Sequence, residues 1–324
     1  MLSELNTTVT DISVLRQGFI MRDGFIFALG DKPAVYDTLV IRNPADASAI
    51  GYRGFSSRTL DEHIALVNKY QLKKAKIVCR DLSFITNCPS LSEVSIDPDN
   101  YCGSGFDYSP LYSMPNLRSV NCRTVYGIYE QYQCSLDYTQ FSGVVDVAAA
   151  GTGHVGYETI PNLEVLWVSQ NKEHANFASF SCSSSLKDIT LMCCGIRSLS
   201  GIEKNDDLHS LALYRNRSLC DISSLGVLGE SLRVLAIENC PRITDFTVLS
   251  KLTNLEHLQL HGSNTLPNLD FLRCMTKLKT FTVTMNIADG DLSLCKQVPY
   301  ASCKNRKHYN LRDSQLPKQL PMQL

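Results

Sequence analysis

A short hydrophobic unit recurs through most of this chain. The stretches LEVLWV (163–168), LKDITL (186–191), LHSLAL (208–213), LRVLAI (232–237), LEHLQL (255–260) and LKTFTV (278–283) each carry apolar residues at relative positions 1, 4 and 6. Their starts lie 23, 22, 24, 23 and 23 residues apart. Upstream, LSEVSI (91–96) and LRSVNC (117–122) fit the same template. The 46 residues from 117 to 163 equal two periods, so one degenerate copy belongs between them, around residues 141–147. A unit of this length cannot bury its own apolar face. Copies stacked side by side share one core, which the two ends of the stack must then cover.

The ninth position of each copy holds Asn171, Cys194, Asn216, Cys240, Ser263 and Asn286. A small polar side chain there satisfies backbone groups that a buried, turning chain otherwise leaves unpaired. Farther along each copy, apolar residues recur every three positions: Leu219, Ile222, Leu225 and Leu228, then Ile243, Phe246, Leu249 and Leu252, then Leu266, Leu269, Leu272 and Met275. Threefold spacing suits short 3₁₀ or extended segments better than long α-helices.

These residues resemble the leucine-rich repeat pattern L-x-x-L-x-L-x-x-N/C-x-L, most clearly over 163–286 and less closely over 91–162. ITDFTVLSKLTNLEHLQL (243–260) and DISSLGVLGESLRVLAI (221–237) are similar to the short bacterial repeats of internalins. The resemblance implies an α/β solenoid: a curved superhelix with a parallel sheet on its concave side and short 3₁₀ or extended convex segments. It also implies a surface for binding other proteins on that concave side. We expect residues 1–78 to form a small N-terminal α/β cap, 79–297 the repeats, irregular around 97–160, and 298–324 a C-terminal cap and tail.

One stretch competes with this reading. VVDVAAAGTGHVG (144–156) contains G-x-G-x-x-G, the spacing of a phosphate-cradling turn. Such a turn must open a helix. Here Pro161 and the next repeat strand follow Gly156 within seven residues, and Glu173, at the spacing of a ribose-binding acid, falls in a repeat turn. The expectation is therefore a degenerate repeat, with Val145 and Val147 in the core and three glycines in the loop.

The N-terminal region offers a helix in SRTLDEHIALVNKY (57–70), where Thr59 and Glu62 make a capping box and Leu60, Ile64 and Val67 an apolar stripe. FIMRDGFIFAL (19–29) reads as a hairpin turning at Asp23-Gly24, YDTLVI (36–41) as a strand, and LKKAKIV (72–78) as the strand that joins the repeats. At the other end, VPYASC begins like one more strand. Lys304, Arg306, Lys307, Arg312 and Lys318 then read as a basic, solvated terminus.

On each repeat strand, positions 4 and 6 face the core and positions 3, 5 and 7 the solvent. Trp167, the one tryptophan, occupies a fifth position, and Ala212 and Ala236 leave the floor beside it open. Seventh positions include Met192, Tyr214, Glu238 and His261, and His257 is a third position. Aromatic residues and arginine are enriched among binding hot spots. The candidate site is thus a protein-binding patch centred on Trp167, Met192, Tyr214 and Arg215 and rimmed by Glu238, His257 and His261. The two histidines with Glu238 resemble a metal set, but residues four apart on a strand are separated by about 13 Å. No metal or cofactor is expected.

The remaining expectations come from composition. A net charge of −1 gives no pull toward nucleic acid, and no apolar run approaches the length of a membrane span. MLSELNTTVTDISVLRQ lacks the basic-then-apolar order of a secretory leader. Thirteen cysteines without a C-x-x-C pair fit buried thiols in a reducing compartment better than a disulfide framework. About 40 residues follow the last clear strand, too few for an appended catalytic domain. The expectation is a cytoplasmic, bacterial, monomeric, non-catalytic protein-binding module. Two alternatives stand beside it: an inhibitor or immunity protein that blocks a toxin or enzyme, and an enzyme with its site in 97–160.

Overall fold

The structure, a computed structural model, describes residues 19–22, 25–28, 38–43, 58–96, 106–122, 136–151, 153–180 and 183–319. The chain divides into two compact units, Met1–Gly156 and Tyr157–Leu324.

The first unit begins with β1 (Phe19–Arg22) and β2 (Phe25–Ala28), an antiparallel pair in which Arg22 faces Phe25. Asp23 and Gly24, the expected turn, lie outside the described residues. β2 also pairs antiparallel with β3 (Thr38–Arg42). Helix α1 (Leu60–Tyr70) follows. Thr59 Oγ1 accepts the Glu62 amide and the Glu62 carboxylate accepts the Thr59 amide, so the expected capping box is formed. From β4 (Lys74–Val78) onward every pairing in this unit is parallel: β3 to β4, then β5 (Glu93–Ile96), β6 (Ser119–Cys122) and β7 (Asp146–Ala150). A one-turn helix, α2 (Ser109–Tyr112), lies between β5 and β6.

The degenerate copy sits three residues later than the period alone indicates. β7 pairs Val120 with Val147 and Cys122 with Ala149. The template residues are therefore Val144, Val147 and Ala149, all buried, while Val145 is half-exposed. The expectation that Val145 points into the core fails because it occupies a second position, not a fourth. The glycines after β7 do not open an α-helix. Gly151, Gly153 and Gly156 have φ of 92°, 87° and 86°, Val155 bridges Asp137, and a single 3₁₀ turn (Tyr157–Thr159) follows.

The second unit holds β8 (Val165–Ser169), β9 (Asp188–Met192), β10 (Ser210–Tyr214), β11 (Val234–Glu238) and β12 (His257–His261). After them come the short β13 (Thr265–Leu266), β14 (Thr280–Val283), the short β15 (Asn286–Ile287) and β16 (Tyr300–Cys303). β13 pairs only with β15, and the rest form one parallel series in chain order. Fourth positions run in register from Leu166 through Ile189, Leu211, Leu235 and Leu258 to Phe281, and all are buried. First and sixth positions are buried with them. Each leucine so enclosed contributes roughly 1.5–3 kcal/mol relative to exposure. The threefold segments form 3₁₀ turns at Ser223–Leu228, Thr247–Lys251 and Asp270–Cys274, and all twelve of the predicted apolar residues in them are buried.

Two backbone devices repeat. The second-position carbonyl takes two amides of the next copy, as Lys187 O takes those of His209 and Ser210. The eighth residue turns into the left-handed region, with φ of 63° at Gln170, 57° at Cys193, 54° at Arg215 and 54° at Asn239. A non-glycine residue adopts this conformation at a cost of about 1–2 kcal/mol. In return its amide reaches the seventh-position carbonyl of the next copy, as Arg215 N reaches Glu238 O at 2.7 Å.

The polar ninth position performs the expected work, with one shift. Asn216, wholly buried, donates to Leu191 O and accepts from Cys194 N. Cys240 Sγ lies 3.5 Å from Leu213 O. In the next copy the role passes from Ser263, which is exposed, to Asn264, whose Nδ2 donates to the carbonyls of Cys240 and Ile243. Gly262 holds the eighth position here, with φ of 141° where earlier copies have a non-glycine residue between 54° and 63°.

Candidate protein-binding surface

Strand register arranges the predicted site residues in rows. Ser169, Met192, Tyr214, Glu238 and His261 are successive partners along the seventh positions. Trp167 heads the fifth-position row, paired with Thr190, after which come Ala212, Ala236 and Gln259. His257 belongs to the third-position row, next to Val234 and Thr280. The structure thus brings Met192, Tyr214, Glu238 and His261 together as neighbours. It does not make Trp167 and Tyr214 direct neighbours, since they stand in different rows two strands apart.

Exposure within the patch is graded. Trp167, Met192, Tyr214, Glu238, His257 and His261 are half-buried, and Arg215 is exposed. Ser169 departs from the expectation that seventh positions meet solvent: it is wholly buried, and its hydroxyl has no hydrogen-bond partner. Trp167, two residues before it on the same strand face, and Met192 on the next strand flank this small side chain. Ala236, between Ala212 and Gln259 in its row, is also buried.

Polar contacts fix several of these groups. Glu238 accepts from Asn239 Nδ2 at 3.2 Å and from Gln259 Nε2 at 3.4 Å. His257 Nδ1 lies 2.8 Å from Thr280 Oγ1. Burial pushes the Tyr214 phenol above its ordinary pKa, and Glu238 and Asp188 add to the effect, so the ring stays neutral. Burial holds the His261 imidazole below its ordinary value, against the opposing pull of Glu238. Among the described residues no group of three or more His, Cys, Asp or Glu is placed to hold a metal ion.

Two residues of this face were not recognised in the sequence. β16 pairs Val283 with Cys303, and Lys304 N donates to Val283 O. Lys304 therefore continues the seventh-position row after His261 and Thr284, and Arg306 takes a ninth position. The signal was present in VPYASC, but its Val298 follows Leu278 by 20 residues, outside the 22–24 spacing of the clear copies. Lys304, Lys307, Arg312 and Lys318 are exposed, as expected, and Arg306 is half-buried, but the segment is folded onto the sheet. Lys318 pairs with Asp313 at 2.8 Å and donates to Ala301 O, and Asp313 also accepts from Cys303 N. A cavity of about 660 Å³ opens at the strand ends, with Glu238, His261, Thr284, Lys304 and Arg306 on its walls.

The fold so described is the leucine-rich repeat fold. Comparison with solved structures agrees. The chain is similar to an internalin, InlF, of Listeria monocytogenes, with 16% identity, 85% of this chain and 86% of that chain covered, and a TM-score of 0.53. InlJ of the same organism, described as including a cysteine ladder, is 17% identical over 70% of this chain and 46% of its own, with a TM-score of 0.49. No family model matches the sequence, and no curated protein matches it. Among the described residues no helix is long and apolar enough to cross a membrane.

Proposed function

We propose that the protein is a non-catalytic interaction module that binds a protein partner on the solvent face of the β8–β12 sheet. Trp167, Met192, Tyr214 and Arg215 form the centre of contact, and Glu238, His257 and His261 its rim. The observation that carries the reading is the unbroken row Met192–Tyr214–Glu238–His261, which sets an apolar and aromatic end beside a charged one on a rigid sheet. Such a combination of aromatic anchor and polar rim is the anatomy of a binding hot spot. Cys194, Cys220, Cys240 and Cys274 are free thiols, which supports a reducing, cytoplasmic setting.

The test uses four baits in extracts of the native host: the wild-type protein, Trp167→Ala, Tyr214→Ala and Val227→Asp. Val227 is 54% exposed on a 3₁₀ turn, away from the sheet face, and serves as control. The reading expects one protein retained by the wild type and Val227→Asp and lost by the other two. Equal retention by all four baits removes the binding surface from this face.

A further inference from the structure

The last repeat strand introduces charge where earlier copies are neutral. Ninth positions hold Asn171, Cys194, Asn216 and Cys240, and Arg306 falls at the same place after β16. Arg306 Nη2 donates to Thr284 O at 3.2 Å, one residue beyond the sixth-position carbonyl that Asn216 uses. A guanidinium, however, carries a full charge and five N–H donors. Its Nε is shielded from solvent and has no partner. Among the described residues the ion pairs, such as Lys318–Asp313 and Lys279–Glu256, include neither Arg306 nor Lys304. A partly buried cation without a counter-charge is held at a cost that an anion relieves.

The cavity has room for one. Its volume of about 660 Å³ lies in the range of small-ligand sites. Gly262 packs its backbone closely on its neighbours, since a Cβ there would come within 3.3 Å of Asn239 N. Thr284, Asn286 and Ser263 add polar groups. The only carboxylate among the described lining residues, Glu238, is on β11, three strands from β16, or about 14 Å at ordinary strand spacing. It is engaged by Asn239 and Gln259.

We propose that the Lys304–Arg306 end of this cavity binds an oxyanion, supplied either as a free inorganic anion or as the carboxylate of an acidic side chain. Carboxylate and phosphate oxygens match the guanidinium donors in geometry and sign. The inference rests on this cavity and not on the protein-binding reading above.

The test is an amide NMR titration of the full chain with sodium phosphate and, separately, with N-acetyl-L-aspartic acid amide. Ionic strength is held constant with chloride, and N-acetyl-L-asparagine amide is the neutral control. Saturable shifts at Gly262, Thr284 and Asn286 are expected, weakened at least tenfold by Lys304→Gln and by Arg306→Gln. Lys307→Gln, which removes an equal charge from an exposed neighbour, should leave them unchanged. Tighter phosphate binding identifies a free anion, and tighter binding of the aspartate derivative identifies an acidic side chain. Lys304 is exposed, so its variant remains informative if Arg306→Gln unfolds. Shifts that do not saturate, or that survive Lys304→Gln unchanged, overturn the proposal. Anion binding retained in Tyr214→Ala separates this site from the patch around Trp167.

Discussion

Asn216 and Cys194 stand one repeat apart and are joined through a side chain: Asn216 Oδ1 accepts the Cys194 amide at 2.8 Å. The other end of the same amide, Nδ2, donates to Leu191 O at 2.8 Å. One buried residue thus satisfies two backbone groups of the preceding copy. Asn216→Leu leaves both unpaired, at roughly 1–3 kcal/mol each. Urea unfolding should show a loss of about 3 kcal/mol. A change under about 0.5 kcal/mol would be that of an ordinary surface substitution and would remove the ladder from the account.

The thiols should divide by burial. Desolvation pushes Cys194 up to about 12 and Cys240 up to about 11, whereas Cys220 and Cys274 are exposed. The thiolate is the reactive form. At pH 8 in native buffer, iodoacetamide followed by peptide mass spectrometry should mark Cys220 and Cys274 and spare Cys194 and Cys240 until denaturant is added. Early labelling of Cys194 or Cys240 contradicts their place in the ladder.

Gly156 supplies a test of the G-x-G-x-x-G stretch. Its φ is 86°, and a Cβ would lie 2.6 Å from Thr139 Cγ2 and 2.9 Å from Thr139 N. Gly156→Ala should lower the thermal midpoint, with a cost on the order of 1–3 kcal/mol for strain and clash. NADH fluorescence should be unchanged by the wild-type protein. Saturable NADH binding that the alanine abolishes would restore the nucleotide reading.

The repeat was legible because its core positions answer to one constraint. Leu211 and Leu235 must each meet a neighbour at the same height, so the spacing survives in the sequence. The same logic exposed the fifth- and seventh-position rows and the threefold 3₁₀ segments. Where spacing changes, the reading slips. The short interval before Val298 hid Lys304 and Arg306, and in a copy of ordinary length the buried amide is Asn264 and not Ser263. Val145 was misplaced because alternating valines in VVDVAAA allow two registers, and only pairing with Val120 selects one. Burial of Ser169 depends on the size of side chains from two strands, which no single strand records.

The most direct measurement is the affinity of the captured partner for wild-type and Tyr214→Ala proteins by calorimetric titration. Loss of a central aromatic contact costs about 2 kcal/mol, or about thirtyfold in Kd. The account predicts that loss for Tyr214→Ala, with Val227→Asp binding as the wild type does. Tyr214→Ala binding with unchanged affinity, in a chain whose circular dichroism is also unchanged, would contradict it.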